Sequence, residues 1–272
     1  MTVLRKLLII LLLGIGANLF ASQVDTLIIK SKIMDKNISN IVIYPDSHEK
    51  QKDGLPVLYM LHGAGGNYLD YISRNPDIKK LSDIYNIIIV CPDGGSTSWY
   101  FDSPIDPGYM YETYVSKELV NTVDEKYNTI KNKSGRAIMG LSMGGHGAFY
   151  LGIRHQDIWG AIGSMSGGVD FRPFPENWDI KKRLGRYSKN KDLWNKHTVT
   201  NMIDSIGENM VIIMDCGYDD FFFDVNRTFH NKLREKKIAH TYIERPGKHS
   251  WEYWNEAINY QVLFFYEYFV KH

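Results

Sequence analysis

Two features are scarce in this sequence: cysteine and surplus charge of either sign. There are only two cysteines, and 32 lysines and arginines are offset by 31 aspartates and glutamates, which leaves a formal net charge of +1. Without a basic surplus the chain has no electrostatic means of attracting nucleic acid, so no such partner is expected. Internal repeats, low-complexity tracts and Pro- or Ser-rich linkers are also lacking after residue 22. The sequence therefore predicts a single domain over residues 22–272.

The two cysteines are expected to stay unpaired. Cys91 follows the apolar run 87–90, and Cys216 follows the apolar run 211–214. In the parallel sheet predicted below, these strands lie four positions apart, or roughly 19 Å at about 4.8 Å per strand. A disulfide requires Cα atoms within about 7 Å of each other. Both residues are therefore predicted to be buried free thiols.

The N-terminus has the organisation of an export signal. Arg5 and Lys6 precede the apolar run 7–13, and small residues follow as far as Ala21. A charged segment, a short apolar segment and small residues are typical of a signal peptide. The apolar stretch is interrupted by glycines and is short for a membrane span of about 20 residues. We expect a signal peptide over residues 1–21 and a secreted or periplasmic protein without a stable membrane anchor after cleavage.

Strand-like and helical patterns alternate along the rest of the chain. Strands are predicted at 24–33, 38–44, 56–61, 87–91, 136–141, 159–165, 211–215 and 241–244, and helices at 68–85, 110–127, 143–154, 225–237 and 251–270. Pro76 breaks the first of these helices. This alternation predicts an α/β fold with a mostly parallel central sheet and helices on both faces. Residues 171–207 lack strand signals and are expected to form a helical insertion.

One serine is flanked by glycines between a predicted strand and a predicted helix. The segment Gly140-Leu141-Ser142-Met143-Gly144 matches G-x-S-x-G, a pattern that is weak evidence alone but specific in this strand–helix context. A sharp turn here exposes the hydroxyl, and the glycines prevent side-chain collisions. The alternative is an ordinary turn with Ser142 as a helix cap. The context favours Ser142 as a nucleophile.

A serine nucleophile needs a base, and the base needs a carboxylate. His249 follows the last predicted strand, at the carboxyl end of the sheet where functional loops lie. His62 opens a glycine loop and is expected to orient that loop. Asp219 and Asp220 both follow the strand at 211–215, and spacing leaves the choice of acid open because either could cap the next helix. The order Ser, Asp, His is that of the α/β-hydrolases.

Acyl transfer also needs N–H donors for the developing oxyanion. The amide of Met143, directly after the serine, is one candidate, and the amide of Ala64 in the loop 62–66 is the other. A phosphate-binding interpretation of this loop is disfavoured because it lacks the Lys-Ser/Thr ending of a P-loop. No spacing typical of metal ligands is visible, and no cofactor is expected.

With these residues in place, the chain resembles the esterase D-like family of α/β-hydrolases. That family includes feruloyl and acetyl xylan esterases, siderophore esterases, S-formylglutathione hydrolases and mycolyltransferases. The resemblance covers nearly all of residues 24–270. It is carried by Leu61-His62-Gly63 with Gly66-Asn67, Ser98-Trp99-Tyr100 with Asp102-Ser103, Gly140–Gly145, Cys216-Gly217 with Asp220-Phe221, and Pro246-Gly247 with His249 and Trp254.

The resemblance implies roles for several residues. In this family the acid is the Asp directly before Phe, which implies Asp220. The oxyanion donors of the family correspond to Ala64 and Met143. The Ser-Trp-Tyr loop of the family lies beside the site, which makes Trp99 and Tyr100 candidates for an exposed wall that binds the acyl group. The alternative is that Trp99 only packs this loop against the insertion.

The resemblance and the signal peptide together imply a function. Carbohydrate esterases of this group are exported, whereas the glutathione thioester hydrolases are cytosolic. We expect an exported serine carboxylesterase that hydrolyses feruloyl or acetyl esters of plant-cell-wall polysaccharide through an acyl-enzyme. A siderophore esterase or an acyltransferase is an alternative within the same fold. A non-catalytic carbohydrate-binding protein is an alternative of another class, disfavoured by the intact Ser, His and Asp set.

Overall fold

The computed structural model describes residues 22–48 and 51–272. The predicted signal peptide, residues 1–21, lies outside the described residues. Within the described part, none of the helices combines the length and the apolarity needed to cross a bilayer.

The core of the protein is an eight-stranded sheet. Its strands are β1 (Gln23–Ser31), β2 (Lys36–Tyr44), β3 (Val57–Leu61), β4 (Ile88–Pro92), β5 (Arg136–Leu141), β6 (Ala161–Met165), β7 (Val211–Gly217) and β8 (Thr241–Arg245). The spatial order is β1-β2-β4-β3-β5-β6-β7-β8. Strands β1, β2 and β4 pair antiparallel, and all pairs from β4 to β8 are parallel. The predicted mostly parallel sheet is confirmed.

Helices cover both faces of the sheet. They are α1 (Asp70–Arg74), α2 (Ile78–Tyr85), α3 (Tyr111–Thr113), which continues through a π-helical turn (Tyr114–Leu119) into α4 (Val120–Lys126), α5 (Met143–Arg154), α6 (Ile180–Leu184), α7 (Lys191–His197), α8 (Phe223–Glu235) and α9 (Trp251–Lys271). Helices α5 and α8 contribute to the hydrophobic core on one face, and α2 and α9 to the core on the other. Because both faces are covered, β3 to β6 are buried along their whole length, which explains their continuous apolar sequences.

Two local features refine the sequence-based expectations. The helix predicted at 68–85 is divided into α1 and α2, because Pro76 lacks an N–H and forces extended backbone at Asn75 (φ −110°, ψ 105°). The 171–207 insertion forms the short helices α6 and α7 with 3₁₀ turns, and its apolar residues join the same core as α5. Cys91 on β4 and Cys216 on β7 are buried free thiols four strands apart, as predicted.

Candidate active site

Ser142 lies on a strained turn between β5 and α5. Its backbone has φ 56° and ψ −117°, a conformation that residues other than glycine rarely adopt. Three backbone hydrogen bonds hold it: its N–H donates to Met165 O (2.9 Å), and its carbonyl accepts from the N–H groups of His146 and Gly168 (3.1 Å each). The strain is therefore imposed by the surrounding structure, which turns the Ser142 side chain out at the carboxyl end of the sheet.

The glycines of the turn are required by close packing. A Cβ at Gly144 would overlap the carbonyl oxygen of Leu61 on β3, and a Cβ at Gly140 would overlap the backbone of Gly144. Neither backbone can withdraw, because β3 pairs with β5 along its length. The pattern that identified Ser142 in the sequence thus has a direct steric cause.

We expect Gly144→Ala to destabilise the protein by about 3 kcal/mol or more, because the new methyl group meets backbone that cannot move. Urea unfolding monitored by circular dichroism measures the change. Gly108→Ala is a suitable control, because a Cβ there approaches only the flexible Asp106 carboxylate, at 3.3 Å. Equal unfolding midpoints for the two variants would contradict the steric explanation.

The structure brings Ser142, His249 and Asp220 into one hydrogen-bonded chain. Nε2 of His249 lies 2.9 Å from Oγ of Ser142, and Nδ1 of His249 lies 2.8 Å from Oδ2 of Asp220. The three residues follow β5, β8 and β7, whose carboxyl ends share one edge of the sheet. They are brought together by topology, since Ser142 and His249 are 107 residues apart in the chain.

Only one of the two candidate acids faces the histidine. The Asp220 side chain is fully buried, and its Oδ1 accepts a hydrogen bond from the N–H of Phe222 (2.8 Å), which fixes the carboxylate. Asp219 is exposed, and its N–H donates to Gly247 O (2.9 Å). The geometry therefore agrees with the residue that the family resemblance implied.

The loop after β3 is held by His62. The N–H of Gly94 donates to Nε2 of His62 (2.8 Å), so the ring proton is on Nδ1, which donates to Gly63 O (2.8 Å). Burial lowers the pKa of His62, which favours this neutral form. His62 therefore orients the loop, as expected. No hydrogen bond links the N–H of Ala64 or Met143 to another described residue, so neither amide has an acceptor within the described part of the protein.

Trp99 and Tyr100 do not form the exposed wall expected from the sequence. Their side chains are 1% and 0% exposed. Both residues have a left-handed backbone, with φ of 56° and 59°, and the loop turns their rings into the interior. Trp99 packs against His146 and Phe171, and the Tyr100 hydroxyl donates to the carbonyl of His62 (3.1 Å). The prediction of a substrate-binding surface at these two rings is corrected to a supporting role.

Two aromatic residues that were not among the predicted site residues lie next to His249. The Phe221 ring is 4.2 Å from the His249 ring and is half exposed. The Trp254 ring packs edge-on against His249 at 4.9 Å, and its Nε1–H donates to Oγ of Ser166 (3.1 Å). Phe221 and Trp254 belong to the family motifs, which was the one signal that could have identified them. No signal pointed to Ser166.

The far end of α5 is fixed by a cluster of charged and polar side chains around the buried Glu112. Oε1 of Glu112 lies 2.7 Å from Nε of Arg154 and 2.9 Å from Nε2 of His155. Burial alone would raise the pKa of Glu112, but the hydrogen bonds from His155 and Arg154 outweigh it and lower the pKa to about 2. The helix that begins at Ser142 is thereby anchored at its other end.

This lowered pKa predicts a pH-dependent stability. The contribution of Glu112 is complete above its ordinary pKa of 4.5 and is lost as the pH falls towards about 2. Over that interval, wild-type protein should lose about 3 kcal/mol more unfolding free energy than Glu112→Gln. Urea unfolding at a series of pH values measures the difference, with Glu125→Gln, an exposed glutamate, as the control. Parallel pH curves for wild type and Glu112→Gln would refute the assignment.

The chain is similar to esterases in sequence and in structure. The family model described as "Putative esterase" matches residues 31–265. An acetyl esterase of Caldicellulosiruptor saccharolyticus is 30% identical over 250 residues, which cover 84% of this chain and 92% of that protein. A solved ferulic acid esterase structure has a TM-score of 0.80 at 29% identity, over 92% of this chain and 99% of that chain.

A more distant structure shares the fold alone. The S-formylglutathione hydrolase FrmB from Staphylococcus aureus has a TM-score of 0.80 at 19% identity, over 90% of this chain and 99% of that chain. These matches confirm the resemblance to the esterase D-like family and the α/β-hydrolase fold. The chain belongs to this esterase family and is a carboxylesterase.

Proposed function

We propose that this carboxylesterase hydrolyses feruloyl or acetyl esters of plant-cell-wall polysaccharide, with Ser142 as nucleophile, His249 as base and Asp220 as acid. The observation that carries the proposal is the continuous chain from Ser142 Oγ through the His249 ring to Asp220, with distances of 2.9 Å and 2.8 Å. The amides of Met143, adjacent to Ser142 in sequence, and of Ala64, which follows a glycine packed against Ser142, have no hydrogen-bond acceptor among the described residues.

In the first half of the reaction, Nε2 of His249 takes the hydroxyl proton as Oγ of Ser142 attacks the ester carbon. The carbonyl oxygen becomes an oxyanion, and the amides of Ala64 and Met143 donate hydrogen bonds to it. Asp220 stabilises the positive imidazolium and holds its Nδ1–H. His249 then gives the proton to the leaving alkoxide as the ester C–O bond breaks, which leaves an acyl group on Ser142.

In the second half, water attacks the acyl-enzyme and gives its proton to His249. The second oxyanion occupies the same two amides, and its collapse breaks the bond to Ser142. His249 returns the proton to Oγ, so the products are a carboxylic acid and the free enzyme. Every proton transfer in this cycle passes through His249.

The substrate part of the proposal is supported by relatives. The acetyl esterase and the ferulic acid esterase are the two relatives reported above at about 30% identity, over at least 84% of this chain. The N-terminal sequence, with Arg5 and Lys6 before an apolar run, supports export to the compartment where such polysaccharides are met.

A substrate panel tests this proposal. We expect purified mature protein to hydrolyse acetylated xylan and methyl ferulate with higher kcat/KM than a siderophore ester or an S-acyl glutathione thioester. Ser142→Ala serves as the blank for spontaneous hydrolysis. If kcat/KM were highest for the siderophore ester or the thioester, the proposed substrate class would be wrong. If the acyl group were transferred to an added sugar in preference to water, the enzyme would be an acyltransferase.

A further inference from the structure

An aromatic surface begins at His249 and extends onto the insertion. Phe221 is 50% exposed, with its ring 4.2 Å from that of His249. The Trp178 ring stacks on Phe221 at 5.7 Å and 21°, and Phe174 packs against Trp178 at 5.5 Å. We call these three residues, Phe174, Trp178 and Phe221, the aromatic surface. A contiguous, partly exposed apolar patch at a reactive centre is typical of a ligand-binding surface.

The aromatic surface rests on a rigid base. Phe222 is fully buried beneath it, 4.7 Å from the ring of Phe221 and 5.2 Å from that of Trp178. The N–H of Phe222 is held in turn by Asp220. Phe221 is therefore positioned by the same turn that positions the acid, and Trp178 is packed against both Phe221 and the buried Phe222.

Trp178 is held in a strained conformation. Trp178 and Asp179 are consecutive residues with left-handed backbone, φ 48° and 56°. Such a conformation costs free energy at residues other than glycine and persists only where neighbouring groups enforce it. The indole Nε1–H of the buried Trp99 donates to the carbonyl oxygen of Trp178 (3.3 Å). Trp99 thus supports the aromatic surface from below instead of contacting substrate itself.

We propose that the aromatic surface binds the planar acyl group of the ester, so that the enzyme prefers arylacyl esters to acetyl esters, and that Trp99 is a positioning residue for Trp178. This inference rests on the proposed function, because it requires Ser142 to be acylated beside the surface. The Phe221 ring packs against His249, whose Nε2 lies 2.9 Å from Oγ of Ser142, so the aromatic surface starts beside the atom that becomes acylated. A planar arylacyl group offers a ring that can stack on this surface, whereas an acetyl group has no ring and far less apolar area.

The test compares variants on two methyl esters that differ only in the acyl group, methyl ferulate and methyl acetate. Phe221→Ala and Trp178→Ala should each lower kcat/KM for methyl ferulate by about tenfold, the loss expected for one ring contact. Trp178→Ala, whose ring has no contact with His249 among the described residues, should change kcat/KM for methyl acetate by less than about twofold. Phe221→Ala, whose ring packs against His249, should lower kcat/KM for methyl acetate as well, but by less than it lowers the value for methyl ferulate. Tyr218→Ala is the matched control, because Tyr218 is 51% exposed on the same loop but its ring contacts Phe223 and not His249.

Trp99→Phe tests the positioning role. It keeps an aromatic ring in the core but removes the N–H that holds Trp178, along with part of the buried indole volume. We expect KM for methyl ferulate to rise severalfold with kcat almost unchanged, and both constants for methyl acetate to stay at wild-type values. Free ferulate should also inhibit methyl acetate hydrolysis more weakly in this variant. A fall in kcat on both esters would mean that Trp99 merely supports the fold.

The outcomes separate this inference from the proposed function. If neither ester is hydrolysed in a Ser142-dependent manner, the proposed function fails. If both esters are hydrolysed but Phe221→Ala and Trp178→Ala lower kcat/KM equally for both, the aromatic surface does not select the acyl group. Phenyl acetate carries its ring on the alcohol side and serves as a third substrate. If the ring variants lowered kcat/KM for phenyl acetate alone, the aromatic surface would bind the alcohol group and not the acyl group.

Discussion

Ser142→Ala should abolish ester hydrolysis while leaving the fold intact. Alanine fits the turn because, among the described residues, the hydroxyl makes no hydrogen bond to the backbone and has His249 as its one side-chain partner. Members of a catalytic triad act as a unit, so we expect kcat on p-nitrophenyl acetate to fall by at least about 10⁴-fold. The melting temperature should stay close to the wild-type value.

A second serine provides the control for this experiment. Ser164 is buried on β6 close to the same turn, and its Oγ has no hydrogen-bond partner among the described residues. Ser164→Ala should therefore retain activity. If Ser142→Ala kept more than about a tenth of the wild-type rate, Ser142 would not be the nucleophile.

Asp220→Asn should lower kcat by about 10³–10⁴-fold, and Asp219→Asn by less than about threefold. Only the Asp220 carboxylate contacts His249, at 2.8 Å, and an amide there cannot stabilise the imidazolium formed in the reaction. Asp219 is an ideal control, since it is adjacent in sequence, carries the same charge and is exposed. Steady-state kinetics on p-nitrophenyl acetate measures both, and the reverse ranking would transfer the role to Asp219.

The parts of the fold that the sequence predicts well are those set by local chemistry. Strands buried on both faces must be apolar throughout, so β3 to β6 were recognisable as continuous runs. The turn at Ser142 was recognisable because close approach to β3 demands glycine at Gly144. The break between α1 and α2 is predicted by Pro76, which interrupts the helical pattern at 68–85.

The features that could not be predicted from the sequence depend on backbone conformations that residue type does not determine. Spacing could not choose between Asp219 and Asp220, because the choice depends on how the turn from Gly217 to Asp220 points each side chain. Left-handed backbone at Trp99 and Tyr100 buries two rings that a loop would ordinarily expose. The burial of Trp99 and the exposure of Phe221 arise from packing between segments far apart in the chain.

The central claim is that Ser142 is the residue that becomes acylated. The most direct test is to inactivate the enzyme with a fluorophosphonate, which phosphonylates activated serines, and to locate the adduct by peptide mass spectrometry. We expect one adduct, on the peptide that contains Ser142, formed in proportion to the loss of activity and strongly slowed in His249→Ala. An adduct on a different residue, or full inactivation with Ser142 unmodified, would contradict the claim.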